Sequence, residues 1–146
     1  MNLEEKINAD IKAAMLAKES AKLEALRAIK SAILLLKTSP DGTAADAELK
    51  ALQKMVKQRR ETAGIYTAQN RNDLAEVELF QASVIEQYLP QQLSGEALEA
   101  EVKKLLSELG FSSSADMGKA IGAINKALAG KADGKAIADA VKKLLQ

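Results

Sequence analysis

The sequence predicts an all-α fold in two helical parts, an N-terminal four-helix region over residues 1–90 and a C-terminal three-helix domain over residues 91–146. Three observations lead there. Of 146 residues, 47% are hydrophobic but only 3% are aromatic, two Tyr and two Phe. Sheet cores draw on aromatic and β-branched side chains, so this balance favours helices packed through Leu, Ile and Ala. Apolar residues recur at three- and four-residue steps almost throughout. Two prolines in the whole chain leave room for long uninterrupted helices. The length suits one ordinary domain or two small ones.

Each element has a local signature. Asn2 is placed to cap a first helix, with Glu4 and Glu5 at the positive end of its dipole. Ile7, Ile11 and Met15 form its apolar stripe. Lys18-Glu19-Ser20 interrupts the pattern, and Ser20 is a cap for a second helix carrying Leu23, Leu26, Ile29, Ile33 and Leu36. Ser39-Pro40-Asp41-Gly42-Thr43 ends it with a turn signal. A third helix is expected from Ala44 to Tyr66, with Leu49, Leu52 and Val56 inside. Asn70-Arg71-Asn72-Asp73 can cap a fourth, which carries Leu74, Val77, Val84, Ile85 and Tyr88. Pro90 ends it, because the residue before a proline is driven out of helical angles.

Pro90-Gln91-Gln92-Leu93-Ser94 marks the boundary between the parts. Ser94 caps the fifth helix, with Leu93 and Leu98 placed to close a hydrophobic staple. Leu98, Val102, Leu105 and Leu109 continue its stripe; Gly110 ends it left-handed and Phe111 folds back. Ser113 or Ser114 caps the sixth, with Met117, Ile121, Ile124 and Leu128 inside. Gly130 ends that helix, and Asp133 caps the seventh, which buries Ile137, Val141 and Leu144.

Composition removes whole chemistries. The chain has no His and no Cys, which excludes zinc fingers, His-based proton shuttles, Ser–His and Cys–His nucleophiles and disulfides. No metal and no cofactor are expected. The N-terminus lacks the basic head and apolar block of a signal peptide, and no apolar run approaches the ~20 residues of a membrane span. The expected location is the cytoplasm. The net charge is +1, but residues 111–146 hold six lysines against three acids. An anionic partner would therefore be met by local basic patches on a neutral protein.

Gly130-Lys131-Ala132-Asp133-Gly134-Lys135-Ala136 imitates a phosphate loop and is not one. Three residues separate its glycines in place of four, Ala136 stands where Ser or Thr would bind Mg²⁺, and it follows a helix. It reads as a helix corner, with Lys131 and Lys135 flanking the start of the last helix and its unsatisfied N–H groups. Gly118 and Gly122, one turn apart, each cost about 1 kcal/mol of helix propensity against Ala. They are kept on one face where something approaches closely. A neighbouring helix is the favoured explanation, and a partner's surface, with Lys119 beside it, is the other. Lys50, Lys54 and Lys57 fall on one stripe of the third helix and read as a solvated face. Arg59 and Arg60 flank its apolar line, placed to reach Glu76, Glu78 or Glu86. Lys30 lies within the second helix's apolar stripe, with Arg27 at its margin. Lys30 either pairs with a buried acid, the favoured reading, or lines a cleft.

Five segments in order resemble the YqeY family, whose members are similar to the C-terminal tail of GatB, the tRNA-binding subunit of the glutamyl-/aspartyl-tRNA amidotransferase. They are Val56-Lys57-Gln58-Arg59-Arg60-Glu61, Arg71-Asn72-Asp73-Leu74, Tyr88-Leu89-Pro90-Gln91-Gln92-Leu93-Ser94, Asp116-Met117-Gly118-Lys119-Ala120-Ile121-Gly122 and Gly130-Lys131-Ala132-Asp133-Gly134. Ile121 stands where Met or Val is usual. The resemblance covers essentially the full chain and implies two all-helical parts.

It also implies a role in holding tRNA. The expected function is a tRNA-binding accessory module without catalysis of its own, with Lys119, Lys126, Lys131 and Lys135 as the RNA-binding residues and Gly118 and Gly122 as a bare surface. Lys50, Lys54, Lys57, Arg59 and Arg60 form a secondary basic patch. One alternative is a protein–protein adaptor docking on an amidotransferase or synthetase subunit. Another is the carbon–nitrogen ligase activity, with glutamine as amido-N-donor, that the resemblance brings by association. The chain offers no nucleotide loop, nucleophile arrangement or metal cluster to run that reaction.

Overall fold

The computed structural model describes residues 2–40 and 46–146. Among them are seven α-helices, one short 3₁₀ turn and no strand, so the fold is all-α as its composition predicts. The helices are α1 (Leu3–Leu16), α2 (Ser20–Thr38), α3 (Ala47–Ala68), α4 (Asn72–Glu86), α5 (Gly95–Leu109), α6 (Met117–Ala127) and α7 (Gly134–Leu145), with the 3₁₀ turn at Ser114–Asp116. Asp41, Gly42 and Thr43 of the predicted turn, and Ala44 at the expected start of α3, lie outside the described residues. The chain packs as two compact units, Met1–Leu89 and Pro90–Gln146.

In the first unit α1 begins with a complete capping box. Asn2 Oδ1 accepts from the Glu5 amide at 2.8 Å, and the Glu5 carboxylate accepts from the Asn2 amide at 3.4 Å. Ile7, Leu26, Ile29, Leu52 and Ile85 are fully buried at the centre, with Ala14, Ala25 and Ala82 between them. Met15, expected inside, is 54% exposed, and Ala14 takes its place. Steps of four residues turn a helix by 400°, so Met15 has drifted about 80° from Ile7 while Ala14 lies within about 20° of it. Val77 is likewise 52% exposed. The buried residues of α4 are Ala75, Ala82, Val84 and Ile85, and the helix packs chiefly on α3. Small residues let those two helices approach closely.

Ser20 is the first residue of α2 and not its cap; Glu19 holds the cap position without a side-chain hydrogen bond. Three helices end in one backbone device. Lys18, Asn70 and Gly110 have φ of 57°, 60° and 78°. In each case the next residue's amide reaches back to close the final turn: Glu19 to Ala14 O at 3.0 Å, Arg71 to Tyr66 O at 2.8 Å, and Phe111 to Leu106 O at 3.0 Å. The companion bonds, Lys18 to Met15 O, Asn70 to Thr67 O and Gly110 to Ser107 O, complete a Schellman motif at each end. Asn70 thus ends α3, and Arg71 occupies the cap position of α4 without a side-chain cap bond. The Arg71 guanidinium instead binds both Asp73 oxygens at 3.2 Å and holds that carboxyl below its usual range.

The second unit wraps α5, α6 and α7 around Val102, Ala120, Ile124, Ile137 and Val141, with Leu93 and Leu98 in the same cluster as the staple requires. Phe111 packs there as well. Leu106 fills the core in place of Leu109, which is 47% exposed, and Leu145 is buried while Leu144 is half-buried. Among the described residues of the whole chain, no polar or charged residue is buried.

At the end of α4, the Tyr88 hydroxyl donates to the Asp10 carboxylate of α1. Burial, and then the Asp10 carboxylate, push the phenol above its ordinary value of 10.0. The folded state holds this proton more tightly than the unfolded chain does. That contribution is complete below about pH 10 and is lost as pH rises beyond it. Tyr88→Phe should cost about 1 kcal/mol at pH 7 and should remove this tyrosine's part of the alkaline decline, measured by urea unfolding at pH 7 and pH 11. Lys18→Gly relieves a left-handed residue bearing a Cβ and should stabilise the protein by about 1 kcal/mol in the same assay.

Candidate nucleic-acid interface

Successive helical residues turn by about 100°. On α6 this puts Ala120 and Ile124, both fully buried, on the inner side, followed inward by Leu128 just past the helix. Gly118, Lys119, Gly122 and Lys126 fall together on the outer side, and all four are exposed. A methyl group built on Gly118 or Gly122 would meet no described neighbour within 4 Å. This overturns the expectation that a neighbouring helix explains the pair: no close internal contact needs them, and they face open space. Lys119 and Lys126 stand two turns apart beside them, about 10 Å along the axis.

The corner between α6 and α7 adjoins this face. Gly134 opens α7, and a Cβ there would lie 3.7 Å from the Asn125 side-chain oxygen of α6. Asp133 holds the cap position, its carbonyl accepting from Ile137 at 3.0 Å. Gly130 turns the chain with φ of 78° and is buried. Lys131 and Lys135, on either side of Asp133, are exposed. None of Lys119, Lys126, Lys131 and Lys135 forms a side-chain hydrogen bond or ion pair with a described residue.

Lys119 and Lys126 therefore share one face, Lys131 sits in the corner, and Lys135 begins the outer side of α7. Lys142, which motif reading passed over, is exposed two turns after Lys135 on that same side. Its only signal was membership in the lysine-rich tail. Lys143 is committed elsewhere, in an ion pair with Glu99 of α5 at 2.9 Å.

The linker holds the corner. Gln92 Nε2 donates to Gly130 O at 2.6 Å and to Pro90 O at 2.8 Å, and the Leu93 amide donates to Lys131 O at 2.8 Å. The Lys131 amide itself reaches Leu128 O at 2.9 Å.

The secondary basic patch is partly engaged in structure. Lys50 pairs with Asp46 at 3.0 Å and, chiefly through that hydrogen bond, holds the Asp46 carboxyl below its usual range. Lys54 and Lys57 are exposed on the outer side of α3. Arg60 pairs with Glu86, one of the three acids expected. Arg59 takes a different partner from those predicted, donating to Gln81 Oε1 at 3.0 Å and to Met55 O at 3.4 Å. Both arginines thus tie α3 to α4. Lys30 is half-buried and makes no ion pair with a described residue, so the expected buried acid is not its partner; Arg27 is exposed.

A groove of about 440 Å³ opens between the start of α2 and α4, lined by Ser20, Lys22, Phe80, Val84 and Gln87 among others. It contains none of the predicted binding residues. Among the described residues no group of three acids stands close enough to hold a metal ion. None of their helices is long and apolar enough to cross a membrane.

A small all-α protein whose unpaired lysines surround an open helix face is thus defined by its fold and surface. Residues 4–145 match the family model described as Yqey-like protein, and the chain belongs to the YqeY family. It is similar to fungal proteins named "Altered inheritance of mitochondria protein 41, mitochondrial". The Meyerozyma guilliermondii protein is 42% identical over 83 residues, which cover 55% of this chain and 42% of that protein. The Clavispora lusitaniae protein is 35% identical over 107 residues, covering 70% of this chain and 62% of that protein. The Saccharomyces cerevisiae (strain YJM789) protein is 32% identical over 107 residues, covering 70% and 58%. The matched part of the chain spans between 42% and 62% of the length of these relatives.

The open setting of the two glycines has a direct test. Gly118→Ala and Gly122→Ala should each stabilise the protein by about 0.8–1 kcal/mol, since the added methyl is accommodated and the helix gains propensity. Thermal unfolding measures this; a loss of stability would mean that something packs on that face.

Proposed function

We propose that this protein is a tRNA-binding accessory module with no catalysis of its own. The observation that carries the reading is the outer face of α6. There Gly118 and Gly122 leave the main chain bare, and the unpaired Lys119 and Lys126 stand beside it. A ribose–phosphate surface needs cations that are not already neutralised, and a close approach that bulky side chains do not block. Lys131 and Lys135 extend the same offer at the α6–α7 corner. Such a surface reads shape and phosphates and not base edges. The aliphatic chain supplies no aromatic platform among these lysines for base stacking.

The proposed compartment is the cytoplasm, although the names of the fungal relatives place those proteins in mitochondria. The kinship with the amidotransferase tail belongs to this proposal too. Under it, the carbon–nitrogen ligase label describes the assemblies in which such a domain works and not a reaction run by this chain.

A second reading has its own support. A helix face of small residues that nothing in this chain covers also suits a partner's helix, and an amidotransferase or synthetase subunit is the adaptor partner proposed.

Fluorescence titration with bulk tRNA at low and moderate salt separates the two. RNA binding should weaken with salt at a slope of about −0.7 to −0.9 per contacted phosphate. The double variant K119E/K131E should weaken binding at least tenfold while leaving the thermal midpoint within a few degrees. Negligible tRNA binding by the unsubstituted protein at both salts ends the RNA reading. A protein partner retained after nuclease treatment then favours the adaptor.

A further inference from the structure

We infer that Gln92 is a positioning residue for the cation at the α6–α7 corner. It acts from the linker side by fixing the main chain from which Lys131 projects. The inference rests on the RNA-binding reading proposed above and adds a residue that carries no charge and would touch no RNA.

The geometry is specific. The Gln92 side-chain amide donates both to Gly130 O at 2.6 Å and to Pro90 O at 2.8 Å. It thus ties the first residue of the linker to the last residue before Lys131. One position along, the Leu93 amide donates to Lys131 O at 2.8 Å. The Lys131 amide donates to Leu128 O at 2.9 Å. The carbonyl before Lys131, its own N–H and its own carbonyl are therefore all bonded, while its side chain is exposed and unpaired. Gly130 is buried in a left-handed conformation at φ of 78°. Its carbonyl is a strong acceptor removed from water, and such a group requires a partner. Gln92 is the partner it has.

A lysine on a free loop gives up main-chain freedom as well as side-chain freedom when it meets a phosphate. A lysine on a fixed main chain gives up only the latter, so its contact is stronger for the same charge. The side chain at position 92 must offer two N–H donors to two carbonyls, and a primary amide long enough to reach both meets that need. Glutamate in its place would face two carbonyl oxygens with a carboxylate and repel them.

The test is a double-mutant cycle on tRNA affinity in the full-length protein, using Q92M, K131A and the pair. Met keeps the length and volume of the side chain and removes the donors. Q92M should weaken bulk-tRNA binding about three- to tenfold and lower the salt slope by about 0.7 to 0.9, the value of one phosphate contact. In the K131A background Q92M should have little further effect, because both changes remove the same contact. Equal losses from Q92M with and without Lys131 would show a merely structural role and overturn the inference. So would unchanged binding by Q92M when the unsubstituted protein binds tRNA. If the unsubstituted protein binds no tRNA, the functional reading itself fails. Should Q92M not fold, NMR of the unsubstituted protein decides the matter. The Gln92 side-chain amide and the Leu93 amide should shift on adding tRNA together with Lys131. A shift at Lys119 and Lys126 with none at Gln92, Leu93 and Lys131 overturns the inference.

Discussion

The constraint on which the molecule depends is close approach between helices that have almost no large side chains to fill space. With four aromatics in the chain, the two cores are built from Leu, Ile and Val at their centres and Ala between them. Small residues bring helix axes together, and dense aliphatic contact then supplies the stabilisation that rings supply elsewhere. Interiors of this kind take up no charge, and among the described residues none is buried. Among the described residues the cations therefore stay at the surface or its edge. Some are paired with an acid, as Lys143 is with Glu99, some bonded to neutral acceptors, as Arg59 is to Gln81 and Met55, and some exposed without a partner, as Lys119 and Lys126 are.

Tight turns make that packing possible, and they account for much of what could and could not be read in advance. Gly110 announced the end of α5 because glycine is the residue that adopts a left-handed conformation without strain. Lys18 and Asn70 end α1 and α3 with the same pair of backbone bonds. A lysine is a poor advertisement for that conformation, and the Asn70 segment looked like the beginning of a helix and not the close of one. Helix type and number were legible throughout, because three- and four-residue spacing over a dozen residues has no competing explanation. The inward member of each stripe was less so. Ala14 displaced Met15 and Leu106 displaced Leu109, since periodicity ranks residues by hydrophobicity whereas packing selects them by angle and size.

At the candidate site, the sequence misjudged why two residues are there. Gly118 and Gly122 were legible as an anomaly, two helix-weakening residues one turn apart, yet spacing alone does not distinguish a covered face from an open one. Arg59 and Arg60 were legible as an edge pair, but the amide partner of Arg59 depends on the register between α3 and α4, which no local pattern encodes. Gln92 was legible as part of the boundary at residues 90–94, but not as the partner of a distant carbonyl. Its role comes from a bond to Gly130, 38 positions away, and only folding brings the two together.

The two uncovered glycines have a thermodynamic consequence for the helix that carries them. Eleven residues is a short helix, and α6 holds both glycines within its first six. Its inner side is anchored by Ala120 and Ile124, while its beginning has little intrinsic tendency to stay wound. Excursions in which the first turn of α6 frays, with the rest of the second unit intact, therefore lie close in free energy to the native state. The amides of that turn are set to trade their hydrogens with solvent well ahead of those around Val102 and Val141.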